Sequence, residues 1–146
     1  MVNKMMKIKL LITLTVLCCL SFVVTAQAED APSTHPIDVK MEKCLKTQHG
    51  TMPRVKCYNT AAEAWDKDLT KVYAELRQAE DAKNKPALEA AQLAWEKYRD
   101  AEFDYFAQIY GQLRGTGYIS VRITTRMEIV RARALQLESR LRSVKE

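Results

Sequence analysis

The chain has 146 residues, and its 23 Lys+Arg against 18 Asp+Glu give a formal charge of +5. Lys4, Lys7 and Lys9 belong to an N-terminal leader that holds no acid, so residues 29–146 keep 20 basic and 18 acidic groups, a net of +2. So weak a field gives no support to nucleic-acid binding, and about 118 residues suit one domain that buries its own core.

The leader comes first. Its lysines precede an unbroken apolar and small-polar run from Leu10 to Thr25, and Ala26-Gln27-Ala28 sets small residues at the two positions a signal peptidase reads. Residues 1–28 are therefore expected to be a signal peptide, cleaved after Ala28, rather than a retained span, for which the run is short. Cys18 and Cys19 lack the preceding leucine and small residue of a lipidation site, so no stable membrane anchor is expected after cleavage. The expected location is periplasmic or secreted. Residues 29–35 read as a flexible lead-in, and 36–146 as a single helical domain.

With four glycines, four prolines and no long alternating pattern, that domain reads as helical nearly throughout. Pro36 opens a short helix to about Lys46, and Gly50 to Pro53 breaks it. A second helix is expected from about Arg54 to Lys83, with Ala61, Trp65, Leu69, Val72, Leu76 and Ala79 at three- and four-residue steps. Asn84 to Pro86 stops and restarts the chain, because proline is tolerated only in a first turn. The third helix covers about Ala87 to Tyr110, and Gly111 with Gly115-Thr116-Gly117 marks the next break. The fourth spans about Ile119 to Val144, with Ile123, Met127, Val130, Ala134, Leu137, Leu141 and Val144 as a bundle seam. The three long helices would each be roughly 35–45 Å, a mutual match for a narrow bundle.

Cys44 and Cys57 are the cysteines left after cleavage. An exported chain favours a bridge between them, worth about 3 kcal/mol through loop closure. The alternatives are two free thiols or a metal site. No CxxC or CxxxH spacing occurs and His35 and His49 are the only histidines, so no metal and no other cofactor is expected. The fold class is then all-α: an antiparallel bundle of three long helices plus a short N-terminal helix stapled by one disulfide.

On a wheel of about 100° per residue, the third helix carries an apolar arc of roughly 160°. An arc that wide needs two partners, which places this helix between the second and the fourth. Trp95, Arg99 and Gln92 lie on or beside the arc, and so does Glu102; Asp68 flanks the Trp65–Leu69–Val72 stripe of the second helix. A buried guanidinium and amide need partners. A structural polar lock is therefore expected, with Arg99 paired to Asp68 or Glu102 and Gln92 bonded across the seam.

Asp68-Leu69-Thr70-Lys71-Val72-Tyr73 and Gln92-Leu93-Ala94-Trp95-Glu96-Lys97-Tyr98-Arg99-Asp100, with the leading pair Cys44 and Cys57, resemble the lysozyme-inhibitor LprI N-terminal-like family of small secreted bacterial helical domains. The resemblance covers most of residues 44–135. Members usually carry a further cysteine just after the Arg-Asp pair, where this chain has Ala101-Glu102-Phe103, and another later, where it has none. Thr70 stands where asparagine is usual.

The resemblance implies an exported, non-catalytic inhibitor of lysozyme or a related peptidoglycan-cleaving enzyme, with lysozyme or another envelope protein as partner. The alternative is an envelope helical interaction module without inhibitor activity. Blocking a glycosidase cleft with its two carboxylates calls for a protruding loop and a basic or hydrogen-bonding side chain. Gln112, Arg114 and Tyr118, in the break between the last two helices, are the candidates. No Gly-x-Ser-x-Gly, Cys-His or metal constellation is present, so no catalytic residue is named and no enzyme is expected. Charge is uneven: residues 29–110 hold 12 basic and 15 acidic groups, whereas 111–146 hold 8 and 3. The basic last helix is expected to balance the acidic earlier ones internally.

Overall fold

The structure, a computed structural model, describes residues 35–146. The leader, its cleavage point and all of the lead-in except His35 lie outside the described residues. Four helices follow in order: α1 Pro36–Thr47, α2 Thr51–Ala79, α3 Lys85–Gly111 and α4 Gly117–Lys145. No strand occurs among the described residues, and none of these helices is long and apolar enough to cross a membrane.

Local chemistry sets the boundaries. Pro36 starts α1, and His35 caps it by accepting the Ile37 N–H on Nδ1 at 3.3 Å. Gly50 enters α2 with φ +87°, a backbone state that side chains with a Cβ rarely adopt. Helix α2 begins three residues before the expected Arg54, because Pro53 fits within its first turn. It stops at Ala79, four residues before the expected Lys83. Glu80 turns inward there, with its Oε1 accepting from Arg140 Nε at 3.4 Å and its Oε2 from Asn84 Nδ2 at 3.1 Å.

The helices alternate in direction, so α2 and α4 run parallel while α3 returns antiparallel to both. Cross-contacts fix this: Glu80 meets Arg140, whereas Gln92 meets Arg133 and Phe103 meets Arg126. The core is the seam between α2 and α4. Ala61, Trp65, Leu69, Val72 and Leu76 pack on Met127, Val130, Ala134, Leu137 and Leu141, all buried. These are the stripes anticipated from spacing, except that Ala79 and Val144 are exposed and Ile123 is half-buried at their ends, and each large member contributes roughly 1.5–3 kcal/mol by leaving water. The Cys44–Cys57 disulfide, with Cα atoms 5.8 Å apart, staples α1 to α2.

One expectation fails. Helix α3 does not sit between α2 and α4; those two meet directly and α3 lies outside, packed mainly on α4. The side chain that α3 buries fully is Gln92, while Tyr98 and Tyr105 are more than half exposed. The cause lies in its seam. Gln92, Glu96 and Arg99 occupy the inward positions where α2 and α4 place Trp, Leu, Val and Met, so the two apolar stripes satisfy each other first.

Candidate interaction surface

The strongest polar lock is one that sequence spacing missed. Asp38, in the first turn of α1, is 3% exposed. Its Oδ1 accepts the Trp65 indole N–H at 3.1 Å. Its Oδ2 accepts from Arg131 Nε at 2.9 Å and lies 2.8 Å from Arg131 Nη2. The Trp65 ring, fully buried, stacks on His35 with centroids 4.2 Å apart, and the Arg131 guanidinium lies 5.6 Å from its centroid. One carboxylate thus ties α1, α2 and α4. A lone Asp in a first turn reads as a helix-dipole residue, so the sequence held no signal for this partner.

The residues expected to form the lock are rearranged. Arg99 does not pair with Asp68 or Glu102. It binds its neighbour Asp100, through Nε at 2.9 Å and Nη2 at 2.7 Å, and lies over Trp95 at 5.2 Å. Asp68 is on the far flank of the α2 stripe, since residues 66 and 68 stand about 200° apart on a helix. Asp66 is the carboxylate on the α3 side, within the fields of Arg99 and Arg126. Glu102 is half-buried on α3. Gln92 Oε1 accepts from Arg133 Nε and Nη2 at 3.2 and 3.1 Å, while its amide donates to Glu96. Arg133 also lies 5.8 Å from the Trp95 centroid. Its burial lowers its pKa from the ordinary value, against an opposing effect of Tyr73.

Partial burial pushes the Asp66 carboxyl above its ordinary 3.8, and Arg99 and Arg126 offset part of that push. The folded chain therefore holds this proton more tightly than the unfolded chain, so stability falls as pH rises from about 3.8 through the raised folded value. Asp66→Asn is expected to raise Tm at neutral pH and to leave it unchanged below pH 3.8, as thermal melts across that range will read. A lower Tm at neutral pH would show that attraction to the two arginines outweighs desolvation.

Four arginines of α4 make contacts within the fold, although Arg126 and Arg140 are themselves exposed. Arg131 and Arg140 engage buried Asp38 and Glu80, Arg133 engages Gln92, and Arg126 lies 4.2 Å over the Phe103 ring. Arg122 and Arg142 stay exposed.

What remains outward is a ridge. Tyr98, Tyr105 and Ile109 fall within about 40° on the α3 wheel, and all three are exposed. Phe106 links Tyr105 and Tyr110, with centroids 5.8 and 6.1 Å away. The ridge continues through the α3–α4 turn, where Gln112, Leu113 and Arg114 are exposed and Gly115 takes φ +114°, to the exposed Tyr118 in the first turn of α4. Beside it, Trp95, Tyr98, Thr125, Ile129 and Gln136 line an open groove of about 580 Å³ between α3 and α4. Helix α3 carries three basic and five acidic residues, and of the acids Glu102 shares the face of the aromatic ridge. Such a face suits binding rather than covalent chemistry.

A family described as Lysozyme inhibitor LprI matches residues 39–137. Among solved structures, the chain is similar to a crystal structure of an uncharacterized protein from Burkholderia thailandensis, at 25% identity and a TM-score of 0.72. That alignment covers 78% of this chain and 57% of the other, so the chain spans little over half of that protein. No curated protein matches it.

Proposed function

The chain belongs to the LprI lysozyme-inhibitor family, and from that premise we propose that it is an exported, non-catalytic inhibitor of lysozyme or a related peptidoglycan-cleaving enzyme, acting in the periplasm or outside the cell. The observation that carries the proposal is the exposed ridge from Tyr98 along α3 to Tyr118. Large aromatics supply much contact area for little entropy, and they dominate interface energies. The net negative charge of α3 favours approach to a cationic enzyme. At the tip of the turn, Arg114 has the charge to address a cleft that holds two carboxylates.

Purified protein is then expected to slow lysozyme-driven clearing of bacterial cell walls at near-stoichiometric ratios. Tyr98→Ala combined with Tyr105→Ala is expected to weaken inhibition by about thirtyfold or more, since one hot-spot truncation costs roughly 2 kcal/mol. Both rings are more than half exposed, so the circular dichroism and Tm of the variant should match the parent. If excess protein leaves the clearing rate unchanged for several lysozyme classes, the inhibitor reading is lost.

The second reading is an envelope helical interaction module without inhibitor activity. It is favoured by Trp95, Tyr98, Glu102, Tyr105 and Ile109, whose alternating three- and four-residue steps match a seam that accepts another helix. Lysis unaffected by the protein, together with an envelope partner whose binding fails in the double tyrosine variant, would establish it.

A further inference from the structure

Sequence spacing excluded a local metal motif, but the fold gathers ligands from three distant places. His35 before α1, Asp68 on α2 and Glu138 on α4 each offer one ligand atom, all within 4.8 Å of one another. We propose that His35, Asp68 and Glu138 form a binding site for a single divalent transition-metal ion of zinc type.

Three observations carry this. His35 Nε2 and Glu138 Oε1 stand 3.4 Å apart, which is about the separation of two ligands around a tetrahedral zinc with bonds near 2.0–2.1 Å. Asp68 Oδ2 is buried and accepts no hydrogen bond among the described residues. A buried carboxylate oxygen without a donor is costly, and a cation there would satisfy it. Finally, Asp68 and Glu138 line an open depression of about 200 Å³, through which water can complete the coordination shell. Imidazole nitrogen and carboxylate oxygen are both zinc ligands, whereas magnesium and calcium prefer oxygen alone.

The protonation balance is explicit. While Nδ1 accepts the Ile37 N–H, the neutral ring carries its proton on Nε2, 3.4 Å from Glu138 Oε1. Metal on Nε2 moves that proton to Nδ1, with no net release, and the Ile37 N–H returns to water as an ordinary first-turn donor. Lys71 and Arg142 line the same depression, and their charge opposes the cation. Occupied, the site fastens the start of α1 to both core helices, next to the His35–Trp65 stack.

The test uses the oxidised full-length protein, stripped with a chelator and titrated with Zn²⁺ alone near neutral pH. One equivalent is expected to bind, and Tm is expected to rise with added Zn²⁺. Glu138→Gln and Asp68→Asn should each weaken binding at least about tenfold and abolish the Tm rise. His49→Ala, which removes the other histidine, should change neither readout. The proposal is overturned if no Zn²⁺ binds at millimolar concentration, or if binding survives both carboxylate variants and disappears with His49→Ala. Neither result bears on lysozyme inhibition, because the site lies on α1, α2 and α4 and shares no residue with the α3 ridge.

Discussion

Asp38→Ala is expected to lower the unfolding free energy by about 3 kcal/mol, the lower end of the range for breaking a buried ion pair. The carboxylate is nearly inaccessible and takes three roles at once, accepting from Trp65 Nε1 and from two nitrogens of Arg131. Removing it leaves the indole N–H without its acceptor in a fully buried position, and desolvation of that donor alone costs roughly 1–3 kcal/mol. Arg131 softens the loss because its side chain is 26% exposed and can recover some hydration. Urea unfolding of Asp38→Ala, Arg131→Ala and the double variant gives the coupling directly. A coupling near zero, or an Asp38→Ala loss below about 1 kcal/mol, would mean that packing of Trp65 alone holds α1 in place.

Loss of the Cys44–Cys57 bridge is expected to cost a similar amount, about 3 kcal/mol, since it closes a loop with a sequence separation of 13. Its structural effect should be local. Helix α1 has only 12 residues, a length at which an isolated helix is marginal in water. It is held near its start by Asp38 and near its end by the disulfide. Cys44→Ser with Cys57→Ser should therefore release amide protection across 36–47, while α2 and α4 keep theirs. Adding Asp38→Ala should deepen that loss of protection across 36–47, because α1 then keeps only the packing of Ile37 and Met41 on the core, the His35–Trp65 stack and the Arg54–Leu45 bond. Hydrogen exchange resolved by segment is the measurement. Uniform loss of protection over all four helices would show instead that α1 is an integral part of one cooperative unit.

The physical grounds of both predictions differ in how far the sequence exposed them. The disulfide was legible because the expected export and the two cysteines outside the leader leave few alternatives. Helix limits were legible to within a few residues, since proline and glycine act through local backbone sterics. The stripes on α2 and α4 were legible because burial imposes a 3.6-residue period that the order of apolar residues reveals. The family block from Gln92 to Asp100 was legible as a motif, but its contacts were not. Arg99 pairs with the carboxylate beside it rather than one across the bundle, and Gln92 meets Arg133, 41 residues away. Of the expected partner-binding residues, Gln112 and Arg114 lie exposed in the turn and Tyr118 lies exposed at the start of α4. The aromatic ridge that leads to them emerged only once α3 was displaced from the centre.

By itself, then, the sequence determined the all-helical class, the four segments, the staple and the family, because each follows from local sterics, periodicity or a covalent pair. Only the tertiary structure decided which helices meet. A wide apolar arc says that a helix needs partners without saying which, and the choice falls to the pair whose stripes bury most apolar surface with fewest polar interruptions. That competition joined α2 to α4 and left α3 outside with its tyrosines in water. It also brought Asp38 to Arg131, and His35 to Asp68 and Glu138, across separations that no spacing rule can span.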